Sequence, residues 1–233
     1  MNSGTPNAAP APLLRILVLA AGHSRRLGRP KALARVRGAT LLRRTVTLLA
    51  ALAGNIAVPH RLPARAARVT RAARVTRAAR AALFVVVPPR AVRYRAELRG
   101  LPAVLIANAE RTTGLASSVR IGLRRARCSR AVLLLPVDLA GLQLRDVARL
   151  VRQWRSAPRR AAARNADGRP VTPLILPKGF FAAAAAVQGD TGLREFVARL
   201  PAGAVRLVAM PSATCDVDTP GDLARARAHR TSR

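Results

Sequence analysis

Aromatic side chains make up only 3% of this 233-residue chain, so any core must be aliphatic and rich in alanine. Cysteine is nearly absent: Cys128 and Cys215 lie far apart without metal-ligand spacing, and the three histidines, His23, His60 and His229, are scattered. Nothing in that pattern asks for an oxidising compartment or a zinc site. No apolar run approaches the roughly 18 residues of a membrane span, and the first dozen residues lack the basic start and apolar stretch of a signal peptide. A cytoplasmic protein without membrane contact is the expectation. Acidic residues number ten against 42 basic ones, which leaves few candidate metal ligands. Lysine is scarcer still, since all basic residues except Lys31 and Lys178 are arginine.

Arginine is what the chain has in excess. Its formal charge of +32 points on its face to nucleic acid or anionic lipid. The arginines, however, are spread along the whole chain with abundant alanine, as biased base composition produces. They lack interleaved aromatics, and no recognition motif accompanies them. Nucleic acid is therefore not the expected partner, although a nucleic-acid-binding protein remains the alternative that charge alone suggests.

Length and patterning fit one ordinary domain. Residues 1–13 read as a disordered tail, 14–228 as the domain and 229–233 as a basic tail. Within the domain, Arg-Ala-Ala-Arg-Val-Thr occurs at 65–70 and again at 71–76, inside an Arg/Ala-rich segment at 61–80. Arginine at every third position drifts around a helix and forms no apolar stripe, so this is a low-complexity insertion.

Elsewhere strand and helix alternate. Buried strands are expected at Ile16–Ala21, Ala82–Val87, Ala103–Ala107 and Ala131–Val137, with a late one at Val205–Ala209. Thr40 is placed to cap a helix that ends before Gly54. Further helices are expected at Ala91–Arg99, Gln143–Trp154 and Leu193–Leu200, and a last one follows Pro220. Residues 155–165 are an arginine–alanine stretch that loosens into 168–177, with no element assigned. The alternation predicts an α/β fold: a single Rossmann-like domain with a mostly parallel, doubly wound sheet flanked by helices.

The chemistry concentrates after the first strand. Ala20, Ala21 and Gly22 leave the backbone open to a ligand, and Ser24, Arg25, Arg26, Gly28, Arg29 and Lys31 follow at once. Neither G-x-G-x-x-G nor G-x-x-x-x-G-K-[ST] is present. A lysine kept in so arginine-biased a chain suggests a site that needs a compact ammonium. Gly114, Ser117 and Ser118 open a helix, as either an anion contact or simple capping. Asp138 ends an apolar strand, where such sheets bind ligands and where a carboxylate is costly to bury unpaired. Asp216 and Asp218, two apart in an extended segment, face the same side. Thr219 and Asp222 form a variant capping box, which makes Asp222 structural and Asp218 the better metal candidate.

With these residues assembled, the chain resembles the MobA-like nucleotidyltransferases over about 14–228. Leu19-Ala-Ala-Gly-His-Ser-Arg-Arg-Leu-Gly-Arg-Pro-Lys31 is similar to the family signature L-A-A-G-x-S-x-R-M-G-x-P-K, with Leu27 in place of methionine. Gly114-Leu-Ala-Ser-Ser-Val-Arg-Ile-Gly resembles its second nucleotide segment. Gly189-Asp-Thr-Gly-Leu-Arg and Asp216-Val-Asp-Thr-Pro-Gly-Asp-Leu look closest to the branch that transfers CMP to the molybdenum cofactor. Two departures bear on the acceptor: Asp138 is followed by Leu-Ala-Gly without the usual proline, and Thr172 precedes Pro173 where histidine is common.

The resemblance implies transfer of a nucleotidyl group from a nucleoside triphosphate, CTP being favoured, to a phosphorylated small-molecule acceptor. It also implies a nucleotide-diphospho-sugar transferase type of fold. The backbone from Leu19 through Ala20 and Ala21 to Gly22 would meet base and ribose. Arg26 and Lys31 would take the triphosphate with Ser117 and Ser118 assisting, and Ser24 would belong to the same nucleotide-binding set. Asp138 and Asp218 would hold Mg²⁺ or Mn²⁺. Arg26, Lys31 and Asp138 would then carry catalysis. The alternatives are GTP as donor, a sugar phosphate or phospholactate as acceptor, and a non-catalytic nucleotide sensor.

Deleting residues 61–80 with a short Gly/Ser join is expected to leave turnover within about threefold of the intact chain, less than ~1 kcal/mol in the barrier. Loss of folding, seen by circular dichroism, or of all turnover would show the segment to be integral.

Overall fold

A computed structural model describes residues 14–57, 82–189, 192–201 and 203–228. The tails, the 61–80 insertion and part of the turn expected at 189–192 lie outside the described residues.

The strands among the described residues are β1 (Leu14–Leu19), β2 (Arg35–Val36), β3 (Ala39–Thr40), β4 (Leu83–Val87), β5 (Val104–Ala107), β6 (Ala131–Pro136), β7 (Ala161–Ala166), β8 (Arg169–Pro177) and β9 (Val205–Val208). Of these, β2 and β3 pair with each other, and the other seven form one sheet in the order β5-β4-β1-β6-β8-β7-β9. In its interior β1 is flanked in parallel by β4 and β6, with β5 parallel at one edge. Buried on both faces, these strands read as continuous apolar runs rather than as alternating ones. Side chains still divide by the period of two. Ile16, Val18, Leu83, Val85, Leu133 and Leu135 point into one core cluster. Leu17, Leu19, Phe84, Val86, Val132 and Leu134 point into the other.

Helices cover both clusters. On the first side lie α1 (Leu41–Ala57), α2 (Val92–Glu97) and α4 (Leu144–Arg155), which contribute Leu42, Val46, Tyr94, Leu150 and Trp154. On the second lie α3 (Leu115–Arg125), α5 (Phe181–Ala186) and α6 (Gly192–Ala198). The α/β fold expected from the alternation, a mostly parallel sheet with helices on both faces, is the fold observed.

Two readings need correction. The first concerns 155–177, where no element was assigned. Here β7 (Ala161–Ala166) and β8 (Arg169–Pro177) form a hairpin, β8 runs antiparallel to β6, and β9 (Val205–Val208) adds in parallel beyond β7. The mostly parallel sheet is therefore mixed at this side. Its turn is Asp167-Gly168, with φ of 49° and 80°, the left-handed pair that a two-residue hairpin of this twist requires. Alanines at 161–163 face the core in place of larger β-formers, so the usual strand composition was missing. The second correction is to α1, which continues past Gly54 to Ala57. One glycine costs a helix about 1 kcal/mol, which tertiary packing overrides. Thr40 does cap this helix: its Oγ1 accepts from Arg43 N–H at 3.2 Å. Among the described residues no helix is long and apolar enough to cross a membrane.

Helix and sheet approach closely at Gly122 of α3. A Cβ there would lie 2.1 Å from Cδ2 of Leu17, which is fully buried in the central strand. Alanine is the better helix former by about 1 kcal/mol, whereas overpacking a core costs ~1–3 kcal/mol. Leu17 has nowhere to move, so overpacking should win. Gly122→Ala is expected to lower the urea midpoint, and an unchanged or raised midpoint would contradict the close fit.

Candidate functional site

Strands β1, β4, β5 and β6 are mutually parallel, so their carboxyl ends share one edge. Past that edge Ala20 N–H donates to the Val86 carbonyl at 2.9 Å, and Val137 N–H donates to the Leu19 carbonyl at 3.2 Å. Leu19, Ala20 and Ala21 are buried, whereas Gly22 is exposed. A Cβ at Gly22 would meet nothing within 4 Å. The fold does not demand glycine here, and its bare backbone leaves the edge open.

The basic loop then makes two short 3-10 turns, Arg25–Leu27 and Lys31–Leu33. Ser24, with φ of 53°, turns the chain, and its Oγ accepts from Lys31 N–H at 2.9 Å. One hydroxyl thereby closes the loop and sets where Lys31 starts. Leu27 anchors the loop from below, in a small apolar cluster with Val36, Leu41, Val217 and Leu223. Val217 and Leu223 belong to the late acidic segment, so this cluster joins chain regions about 190 residues apart.

The same late segment is stitched to the end of β6. Leu139 and Asp216 form an antiparallel bridge, Val217 N–H donates to the Asp138 carbonyl at 3.1 Å, and Ala140 N–H donates to the Cys215 carbonyl at 3.0 Å. Gly141 lies so close that a Cβ would be 2.7 Å from the Ser212 carbonyl oxygen. Buried Asp146 of α4 accepts from Ser212 N–H at 2.9 Å and from its hydroxyl at 2.6 Å.

These constraints bring four predicted residues together. Lys31 Nζ donates to Asp138 Oδ2 at 2.5 Å and to Asp218 Oδ1 at 2.9 Å. Arg26 donates to Asp218 Oδ2 at 2.9 Å. Asp138 Oδ1 is buried without a partner among the described residues. Burial alone would depress the Lys31 ammonium, but the Asp138 and Asp218 carboxylates outweigh it and hold it above its ordinary value. The hydrogen bond from Lys31 holds Asp218 below the usual carboxylate range. Asp216 is pushed up to about 6, by burial first and then by the nearby Asp138 charge, with Arg164 opposing.

Among the described residues no group of three or more His, Cys, Asp or Glu is arranged to hold a metal. The pair Asp138 and Asp218, with one buried carboxylate oxygen unmet, fits an ion that takes its remaining ligands from water and phosphate.

Ser117 and Ser118 sit elsewhere on the same edge and are buried, with Asn108 Nδ2 donating to both hydroxyls at 2.9 and 3.0 Å. Ser117 also donates to the Gly114 carbonyl at 2.8 Å. Their hydroxyls are thus engaged within the fold rather than turned to solvent. Asp222 fills the predicted capping role: its Oδ2 accepts from Thr219 N–H at 2.7 Å, and its own N–H donates to Thr219 Oγ1 at 3.2 Å. Three participants escaped the sequence reading as site-formers. Asp216 was ranked below Asp218. Asn108 gave a faint signal as a polar residue ending a strand. Arg164, which donates to the carbonyls of Thr172 and Ala213, was one arginine in an arginine-rich stretch and gave none.

A mostly parallel sheet thus gathers at its carboxyl edge an open loop, a lysine, an arginine, the strand-end Asp138 and Asp218 from the late segment, at the edge where open α/β sheets bind ligands. Residues 16–204 match the family described as the MobA-like NTP transferase domain, and the chain belongs to that family. It is a nucleotidyltransferase.

Solved structures agree on the fold. Rv0371c from Mycobacterium tuberculosis H37Rv is 23% identical, with a TM-score of 0.66, covering 94% of this chain and 99% of that one; a further structure of that protein is a complex with manganese. Mth528, named a nucleotidyl transferase from Methanothermobacter thermautotroptrophicus, is 18% identical with a TM-score of 0.67, covering 93% and 97% of the two chains. Molybdopterin-guanine dinucleotide biosynthesis protein A from Archaeoglobus fulgidus is 15% identical with a TM-score of 0.59, covering 92% and 97%. No curated protein matches the chain.

Asn108 is the hub of the second loop, since its Oδ1 also accepts from Glu110 N–H at 3.0 Å. Asn108→Ala would strand buried hydroxyls, each unmet group costing about 1–3 kcal/mol. A loss of about 2 kcal/mol in urea unfolding is expected. A change within experimental error would mean that water replaces the amide.

Proposed function

We propose that this nucleotidyltransferase transfers CMP from CTP to a phosphorylated small-molecule acceptor of the molybdopterin type, releasing pyrophosphate. The observation that carries the reading is the Lys31–Asp138–Asp218–Arg26 constellation at the carboxyl edge of the sheet. The choice of CTP and acceptor rests on the resemblance of the late segments at 189–194 and 216–223.

The acceptor phosphate is already ionised, so the reaction needs no general base. Its oxygen attacks the α-phosphorus, the bond from that phosphorus to the β-phosphate bridging oxygen breaks, and pyrophosphate leaves with the electron pair. Catalysis then lies in positioning and charge neutralisation. The backbone from Leu19 to Gly22 meets base and ribose. Lys31, set by the Ser24 hydroxyl, and Arg26 take the triphosphate. Ser117 and Ser118, tied to Asn108, shape the Gly114 turn on the same edge. Asp138 and Asp218 hold Mg²⁺ or Mn²⁺, whose charge neutralises the phosphate oxygens when bound.

Pyrophosphate release from each of the four triphosphates, with molybdopterin-type and sugar-phosphate acceptors, tests the reading. Turnover should favour CTP and require a divalent ion, and Asp138→Asn should abolish it with the circular dichroism spectrum unchanged. Lys31→Arg should cost roughly a hundredfold, about 3 kcal/mol, because a planar guanidinium cannot take the place of the ammonium. Wild-type turnover in Asp138→Asn would refute the site. A wide preference for GTP would preserve the reaction class and overturn the choice of branch.

A further inference from the structure

Lys31 occupies the space between the two carboxylates that the proposed function assigns to a divalent ion. Its Nζ lies within direct hydrogen-bond range of both, 2.5 Å from Asp138 Oδ2 and 2.9 Å from Asp218 Oδ1. Arg26 Nη2 takes the remaining oxygen of Asp218 at 2.9 Å. Of the four carboxylate oxygens, only the buried Asp138 Oδ1 has no partner among the described residues. Two carboxylates and two side-chain cations balance in charge. An ion of charge +2 entering between the carboxylates would meet an ammonium whose side chain is only 20% exposed, so solvent screens their repulsion weakly.

We infer that Lys31 is an internal counter-cation, which keeps the Asp138–Asp218 pair closed to divalent metal until a nucleoside triphosphate draws its ammonium away. The inference rests on the proposed function, since it takes that site to bind both metal and triphosphate. The side chains suit the exchange. Lysine carries a compact charge on a flexible four-carbon stem, and Arg26, 73% exposed, is free to turn with it. A triphosphate offers these two cations more negative charge than the carboxylates do. Once they leave, two carboxylates face each other uncompensated, and their repulsion is relieved by a cation. Magnesium retains most of its waters and needs only one or two carboxylates plus phosphate oxygens, so the phosphates that displace Lys31 also complete the ion's coordination. Metal and nucleotide therefore enter as coupled ligands, each raising the affinity for the other by the same factor.

Mn²⁺ binding without nucleotide, read from the electron paramagnetic resonance signal of the free ion, tests this in the full chain. Lys31→Met is expected to bind Mn²⁺ about tenfold more tightly than the wild type, in the usual range of coupling between sites. Lys31→Arg, which keeps the charge, should stay as weak as the wild type. Equal affinities in the wild type and Lys31→Met would overturn the inference. The wild type supplies an independent measurement, because only Lys31 and Lys178 contribute lysine signals. With ¹³C-labelled lysine, Mg²⁺ alone should leave the Lys31 ε-methylene resonance in place, and Mg²⁺ with a non-hydrolysable CTP analogue should shift it. A shift with Mg²⁺ alone overturns the inference whatever the fate of the variants. Calorimetry of the analogue separates the two claims. Normal binding with an unmoved Lys31 signal overturns the counter-cation alone, whereas no binding of any triphosphate overturns the proposed function and the inference with it.

Discussion

Two ionised aspartates facing each other at the rim of an apolar sheet repel unless a cation lies between them. In this protein the cation is Lys31, which bonds Asp138 at the end of β6 and Asp218 in the late acidic segment. Other features of the site follow from that contact. Ser24 closes the loop so that Lys31 starts in the right place. Leu27 fastens the loop to Val217 and Leu223, which brings Asp218 within reach. Arg26 neutralises the outer oxygen of Asp218. Remove the ammonium, and two partly buried charges are left to repel one another or to recruit an ion.

The scaffold around this contact is rigid for a simple reason. β1 pairs in parallel on both sides, both of its faces are buried, and Gly122 lets α3 come down onto Leu17 without a side chain in the way. The late segment has no such sheet to hold it. It is held instead by backbone hydrogen bonds to residues 138–140, by Asp146 gripping Ser212, and by the Thr219–Asp222 cap. The candidate site is thus built from strands at the heart of the sheet and a peripheral segment latched onto them. That division is common where a site must be both precise and loadable.

The charge of the chain acquires a different meaning from this arrangement. Of ten acidic residues, Asp138, Asp216, Asp218 and Asp222 gather within one short stretch of the structure. Against a background of 42 basic residues, each of the four has a cation beside it: Lys31 for Asp138 and Asp218, Arg26 for Asp218, Arg225 for Asp222 and Arg164 for Asp216. Burial and the neighbouring Asp138 push Asp216 up to about 6, with Arg164 and then Lys31 opposing them. A positive exterior draws polyphosphates in general.

Sequence alone determined the parallel half of the fold. Strands buried on both faces must read as apolar runs, and those at β1, β4, β5 and β6 do. It also determined the loop from Leu19 to Lys31, whose long motif carries the family resemblance, and the capping roles of Thr40 and Asp222, which are local chemistry. The β7–β8 hairpin was legible only in Asp167-Gly168, because alanine and arginine carry no strand signal of their own. What only the tertiary structure decided was contact across the chain: that Lys31 bridges Asp138 and Asp218, that Arg164 faces Asp216, and that Ser117 and Ser118 turn inward to Asn108. Periodicity reports which face of an element is buried. It carries no information on which polar side chains meet, whether they are 9 residues apart as Asn108 and Ser117 are or 187 as Lys31 and Asp218 are, and that is settled by the packing that closes the sheet.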